Sequence, residues 1–188
     1  AGLTFWLGNA TVLGVGFAYH PQAASEIDLL PIWANRTLGI MGLIVLAAYV
    51  AWVWRTPRVI GRQNWEVRLP SGPLTLLQIA IGIVDLGCCA LAMYMLVPAE
   101  PHMQFIDVAV IFITATLLGF ASHSPGGLGV FDAAMLIALW QFDAEELLAG
   151  LLIFRLLYYI MPFTIALAIL GTREIGLTLI RRRNVGDR

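Results

Sequence analysis

Apolar runs alternate with short polar segments along most of the chain. The runs cover residues 1–18, 37–54, 74–97, 105–121, 130–141 and 147–171, and each reads as a helix. A helix needs about 20 mostly apolar residues to cross the hydrocarbon of a bilayer, and 37–54, 74–97 and 147–171 are of that order. The runs 105–121 and 130–141 are shorter, and they flank the segment S-H-S-P-G-G-L-G-V-F-D at 122–132. There Pro125 removes a backbone donor, while Gly126, Gly127 and Gly129 permit angles that other residues resist, so one helix ends and another begins. Irregular backbone at membrane depth survives only where protein buries it or water wets it. Broken helices of this kind line polar cavities in transporters, the restarted helix aiming its N-terminal amides at the occupant.

The polar segments assign sides. Loop 55–73 holds Arg55, Arg58, Arg62 and Arg68 against Glu66, and the tail 172–188 holds Arg173 and Arg181–Arg182–Arg183. Arginine excess marks the cytoplasmic face. The connector with Glu26 and Asp28, the turn at Glu100 and the corner of Asp143, Glu145 and Glu146 then face outward. Residues 105 and 143 fall on the same side, so the two short runs go in and come back. A re-entrant hairpin satisfies this parity, and so do two tilted full crossings. The expected fold class is an all-α, polytopic membrane bundle with a re-entrant or broken helix pair around P-G-G-L-G.

Composition agrees. Hydrophobic residues make up 60% of the 188 and charged residues 12%, with a mean hydropathy of +0.83, far from the quarter-charged make-up of soluble domains. The 11 basic residues are all arginine and the net charge is −1, which gives no basis for nucleic acid as a partner. Cys88 and Cys89 are adjacent in an apolar run and read as small packing residues. The opening alanine and the lack of a basic leader suggest a segment of a longer chain, with earlier helices preceding it. No nucleophile elbow, Walker loop or histidine metal cluster is present, and P-G-G-L-G lacks both the preceding strand and the spacing of a dinucleotide loop. Catalytic residues, metals and cofactors are therefore not expected here.

Three ionisable residues fall inside apolar runs: Asp85, Asp132 and Arg155. Each costs about 3 kcal/mol in hydrocarbon unless it meets a partner or water. One reading pairs Asp85 with Arg155 as a buried latch. The other lines a cleft for a zwitterionic or cationic headgroup. In it Asp85 and Asp132 receive an ammonium, while Arg155 and the amides following Gly126 and Gly127 hold a phosphate. His123 beside the turn either contacts the headgroup or is satisfied by local backbone. Tyr158 and Tyr159 follow Arg155 by about one turn, Tyr158 at the cavity margin and Tyr159 in ordinary packing. Pro162 should kink the last helix, Asp107 reads as a solvated residue at a helix start, and Trp6, Trp33, Trp52, Trp54 and Trp65 suit interfacial anchoring.

The pairing of S-P-G-G-L-G-V-F-D with a downstream F-R-L-L-Y-Y-I-M-P resembles the membrane domain of the lysylphosphatidylglycerol synthetase/flippase family, the multiple peptide resistance factors, over residues 3–171. That family often has glutamate where Asp132 stands. The resemblance implies the later part of a flippase domain that moves lysyl-phosphatidylglycerol from the inner to the outer leaflet of the bacterial inner membrane, giving resistance to cationic antimicrobial peptides. It implies further partners in the same protein, namely earlier helices and a cytosolic C-terminal phosphatidylglycerol lysyltransferase domain, and a possible homodimer. It carries over to Pro125, Gly126, Gly127, Gly129, Asp132, Arg155, Tyr158 and Asp85. Two other readings stay open: a membrane anchor or dimerisation platform for a synthase, and a translocator of a hopanoid or polyprenyl lipid.

Overall fold

A computed structural model describes residues 2–23, 25, 30–54, 59–62, 65–68 and 70–186, with backbone only at residue 2, in 59–62 and 65–68, and beyond residue 174. Among the described residues seven α-helices carry the fold: α1 (Gly2–Tyr19), α2 (Ile32–Trp54), α3 (Gly72–Leu96), α4 (Phe105–Ala121), α5 (Val130–Ala138), α6 (Ala144–Arg155) and α7 (Met161–Gly186). The chain is an all-α membrane bundle. Three stretches are long and apolar enough to cross a membrane: Ile32–Trp54, Gly72–Leu96 and Ala144–Glu174.

The expected loop 55–73 contains two short antiparallel strands, β1 (Val59–Arg62) and β2 (Trp65–Arg68), with Val59 opposite Arg68 and Arg62 opposite Trp65. An arginine count reports sidedness and carries no information on such local pairing. Glu26, Asp28, Arg55 and Arg58 lie outside the described residues, as do the side chains of Arg62, Trp65, Glu66, Arg68 and Arg181–Arg183. The expected tail from 172 is helical to Gly186, so Arg173 extends α7 instead of opening a tail.

α4 is the centre of the bundle. Eight successive residues, Val108 to Ala115, are buried, and α3, α5 and α6 close around them through Leu86, Met93, Phe131, Met135, Leu151 and Phe154. α1 reaches its neighbours through glycine. A Cβ on Gly8 would lie 2.8 Å from the Gly82 Cα of α3, and one on Gly14 would lie 2.8 Å from Leu43 of α2. Without a hydrophobic driving force between helices in lipid, such close backbone approach is what holds them. Asp107 is not simply solvated: its Oδ1 lies 3.2 Å from Nδ1 of His20, which ties the start of α4 to the end of α1.

α4 and α5 form a helical hairpin of unequal legs: at about 1.5 Å per residue α4 is about 26 Å long and α5 about 14 Å, the latter about half of a hydrocarbon core. α6 then starts at a strong cap, where Asp143 accepts from the amides of Glu145 (3.0 Å) and Glu146 (3.1 Å). Asp143→Ala should destabilise the protein by about 1 kcal/mol in thermal unfolding in detergent, with Asp143→Asn largely retaining the cap.

Between α6 and α7 the helix does not break. Leu156–Ile160 forms a π turn, with the amide of Met161 donating to Leu156 O, five residues back. Pro162 is the cause we assign, because it has no amide to donate one turn back and its ring crowds that carbonyl. Where a kink was expected at Pro162, the structure has a widened turn on its N-terminal side.

Candidate functional site

A cavity of about 500 Å³ opens where α1, α3, α4, the hairpin turn, α5, α6 and the π turn meet. Its wall carries seven aromatic side chains, Phe5, Phe112, Phe120, Phe131, Phe154, Tyr158 and Tyr159, and its charged groups are Asp85 and Arg155. His123, Gly126 and Gly127 line it as well.

The hairpin turn is built by its glycines. Gly126, Gly127 and Gly129 adopt φ of 64°, 65° and 81°, left-handed values that a side chain would resist. Gly127 also packs its backbone against Gly119 of α4, where an added Cβ would sit 3.4 Å from the Gly119 Cα. Pro125 opens a 3-10 turn over Pro125–Gly127. His123 shares the left-handed region at φ 55°, and its Nδ1 lies 2.8 Å from Ala121 O, the local backbone satisfaction open to it from sequence.

This turn sets the direction of the central ion pair. Asp132, in the first turn of α5, takes the Gly129 amide on Oδ2 at 3.1 Å. Arg155, at the end of α6, grips the same carboxylate with both sides of its fork, Nε to Oδ1 at 3.0 Å and Nη2 to Oδ2 at 2.8 Å. Its Nη1 reaches Gly126 O at 3.4 Å, and the guanidinium lies 5.6 Å from the Phe131 ring centroid. Arginine and carboxylate match as planar, bidentate partners, so one side chain fastens both ends of the turn to α6.

This arrangement corrects two expectations. Asp85 does not pair with Arg155; the latch is Asp132–Arg155, and Asp85 has no hydrogen-bond or ion-pair partner among the described residues. The amides following Gly126 and Gly127 are also not available to a phosphate. Gly127 N donates to Ser124 O (2.9 Å) and Leu128 N to Pro125 O (3.3 Å). Arg155 is left as the anion donor, with one N–H on each Nη still uncommitted.

Of the residues singled out from sequence, Asp85, His123, Gly126, Gly127, Arg155 and Tyr158 line the cavity, while Pro125, Gly129 and Asp132 shape the turn behind it. Tyr159, read as packing, lines the cavity too, its ring 4.9 Å from that of Tyr158 at 81°. Cys89 is not only filler: it lines the cavity beside Tyr158, and Cys88 is exposed. The aromatic wall went unnoticed in sequence. The spacing Phe154–Tyr158, one turn apart and stacked at 9°, was its one local signal.

No protein-family model matches the chain. It is 28% identical over 174 residues to an uncharacterised protein of Synechocystis, covering 92% of this chain and 54% of that one. It is 43% identical over 77 residues to a phosphatidylglycerol lysyltransferase of Staphylococcus haemolyticus, covering 40% of this chain and 9% of that enzyme. A phosphatidylglycerol lysyltransferase of Staphylococcus aureus is 39% identical over 79 residues, again 9% of its length. The chain thus spans about half of the first relative and a small part of the enzymes.

Proposed function

We propose that the cavity carries the headgroup of an aminoacylated phosphatidylglycerol, lysyl-phosphatidylglycerol in the first instance, from the inner to the outer leaflet of the bacterial cytoplasmic membrane. The acyl chains stay in lipid while the headgroup passes a lined, partly polar space that lowers its desolvation barrier. The observation that carries this reading is the charge layout of the cavity. Asp85, an exposed residue, lines the cavity without an ion-pair partner among the described residues, and Arg155 keeps part of its fork free. An ammonium suits the first group and the nearby rings, and a phosphate suits the second. The partial likeness to proteins named phosphatidylglycerol lysyltransferase supports a phosphatidylglycerol-derived lipid as the cargo. In a full-length protein of this type, earlier helices and a transferase domain would supply the lipid, and its export would lower the surface charge that draws cationic peptides.

Leaflet-specific amine labelling in intact cells tests the proposal. Asp85→Asn should reduce outer-leaflet lysyl-phosphatidylglycerol roughly tenfold at constant total content, the effect of losing one charge-assisted bond of about 1.5 kcal/mol. An unchanged leaflet ratio would count against translocation. One observation favours a second reading, a membrane platform for a synthase: residues 160–172 are exposed throughout, a long and mostly apolar surface. That reading expects the same substitution to change total lipid synthesis and leave its distribution intact.

A further inference from the structure

One residue of the hairpin turn holds a left-handed angle and still carries a side chain. His123 sits at φ 55°, a region that glycine enters freely and that costs a residue with a Cβ. A glycine would fill the position without that cost, so what sets His123 apart there is its ring. It is exposed and lines the cavity. One bond fixes the ring. Nδ1 lies 2.8 Å from Ala121 O, and because a carbonyl only accepts, the neutral ring carries its hydrogen on Nδ1 and its lone pair on Nε2. The two nitrogens lie on different edges of the imidazole, so Nε2 is turned away from that carbonyl. It has no partner among the described residues. The hydroxyls nearest in the wall are already committed as donors, Thr116 Oγ1 to Phe112 O at 2.7 Å and Ser124 Oγ to Leu128 O at 2.9 Å. Both keep acceptor capacity only.

We infer that His123 Nε2 receives a second ammonium of the headgroup. The cavity then prefers an aminoacyl lipid with two ammonium groups, such as lysyl-phosphatidylglycerol, to one with a single ammonium, such as its alanyl counterpart. This rests on the lipid-translocation reading above, in which Asp85 takes one ammonium and Arg155 the phosphate, and all three residues line the same cavity. The sizes agree. A space of about 500 Å³ is roughly 10 Å across, and the two nitrogens of an extended lysyl group are roughly 7 Å apart at standard bond lengths. An ammonium replaces water on Nε2 with a charge-assisted bond, and an alanyl methyl there makes none.

The test reconstitutes the full-length polypeptide in vesicles holding lysyl- and alanyl-phosphatidylglycerol in equal amounts. An impermeant amine reagent with mass detection reads the leaflet distribution of each lipid in one sample. Thermal unfolding in detergent against lipid concentration reads the binding of each. The wild type should favour the lysyl lipid about tenfold in both, the weight of one charge-assisted hydrogen bond. His123→Gly, which relieves the backbone, should lose that preference. So should His123→Asn, which tolerates the left-handed angle and offers an amide near the place of Nδ1 but nothing at the reach of Nε2. His123→Gln sets an acceptor at about that reach and should retain part of the preference. A wild type with no preference, or a preference unchanged in His123→Gly, overturns the inference. A wild type that binds with the expected preference, lost in His123→Gly, yet moves neither lipid overturns the translocation reading and leaves recognition by His123 standing.

Discussion

Arg155→Ala should abolish lipid translocation and lower the stability of the protein by about 2–3 kcal/mol. Removing one partner of a buried ion pair typically costs about 3–5 kcal/mol, because the other charge is stranded. The side chains here retain 14% and 24% of their exposure, so solvent screening argues for the lower figure. More than charge is lost, since the guanidinium also ties Gly126 O to α6 and so fastens the hairpin turn at two points. Arg155→Lys keeps the charge without the fork and should fall between. The double replacement Asp132→Arg/Arg155→Asp should recover part of the stability, though not the bond from the Gly129 amide. Thermal unfolding in detergent and leaflet labelling read the two effects separately. Wild-type unfolding together with a wild-type leaflet ratio in Arg155→Ala would sink this account of the pair.

Gly82→Ala is the second large effect, at a contact made by backbone alone. A Cβ there would lie 2.7 Å from Thr4 O and 2.9 Å from the Gly8 Cα, backbone atoms that cannot swing aside. α1 must then move away from α3, a form of overpacking that costs about 1–3 kcal/mol. The movement also carries Phe5 out of the cavity wall, so transport should decline along with stability. Gly87→Ala, one and a half turns further along α3 with nothing within 4 Å of its Cβ, is the control. It should be neutral or slightly stabilising, because alanine is the better helix former. If both variants unfold alike, the glycine contact is not what joins these helices.

The spans were legible in sequence because hydropathy is a local property. The run 105–121 coincides with α4, and 74–97 differs from Gly72–Leu96 by a residue or two. The broken pair was equally visible, since Pro125 and three glycines leave a helix no way to continue. What failed was the choice among partners. Asp85 and Asp132 are both acids in apolar runs, and nothing along the chain says which one Arg155 meets. That depends on Gly129 and Gly126 folding the turn back so that Asp132 faces the end of α6. The aromatic wall was hidden for a similar reason. Phe5, Phe112, Phe131 and Phe154 sit on four different helices, and each alone looks like any buried phenylalanine. The helical continuation through Arg173 was missed because charge counting assigns a side of the membrane and not a backbone conformation.

The π turn at Leu156–Ile160 makes the final rod two segments instead of one. Accommodating one additional residue shifts the azimuth of everything beyond it by about 100° relative to an unbroken helix. The buried ridge of α6, running through Leu147, Leu151 and Phe154, is therefore not continued in line by the surface of α7. The two tyrosines of the cavity wall sit on the π turn itself, so its extra residue sets the direction in which their rings leave the helix.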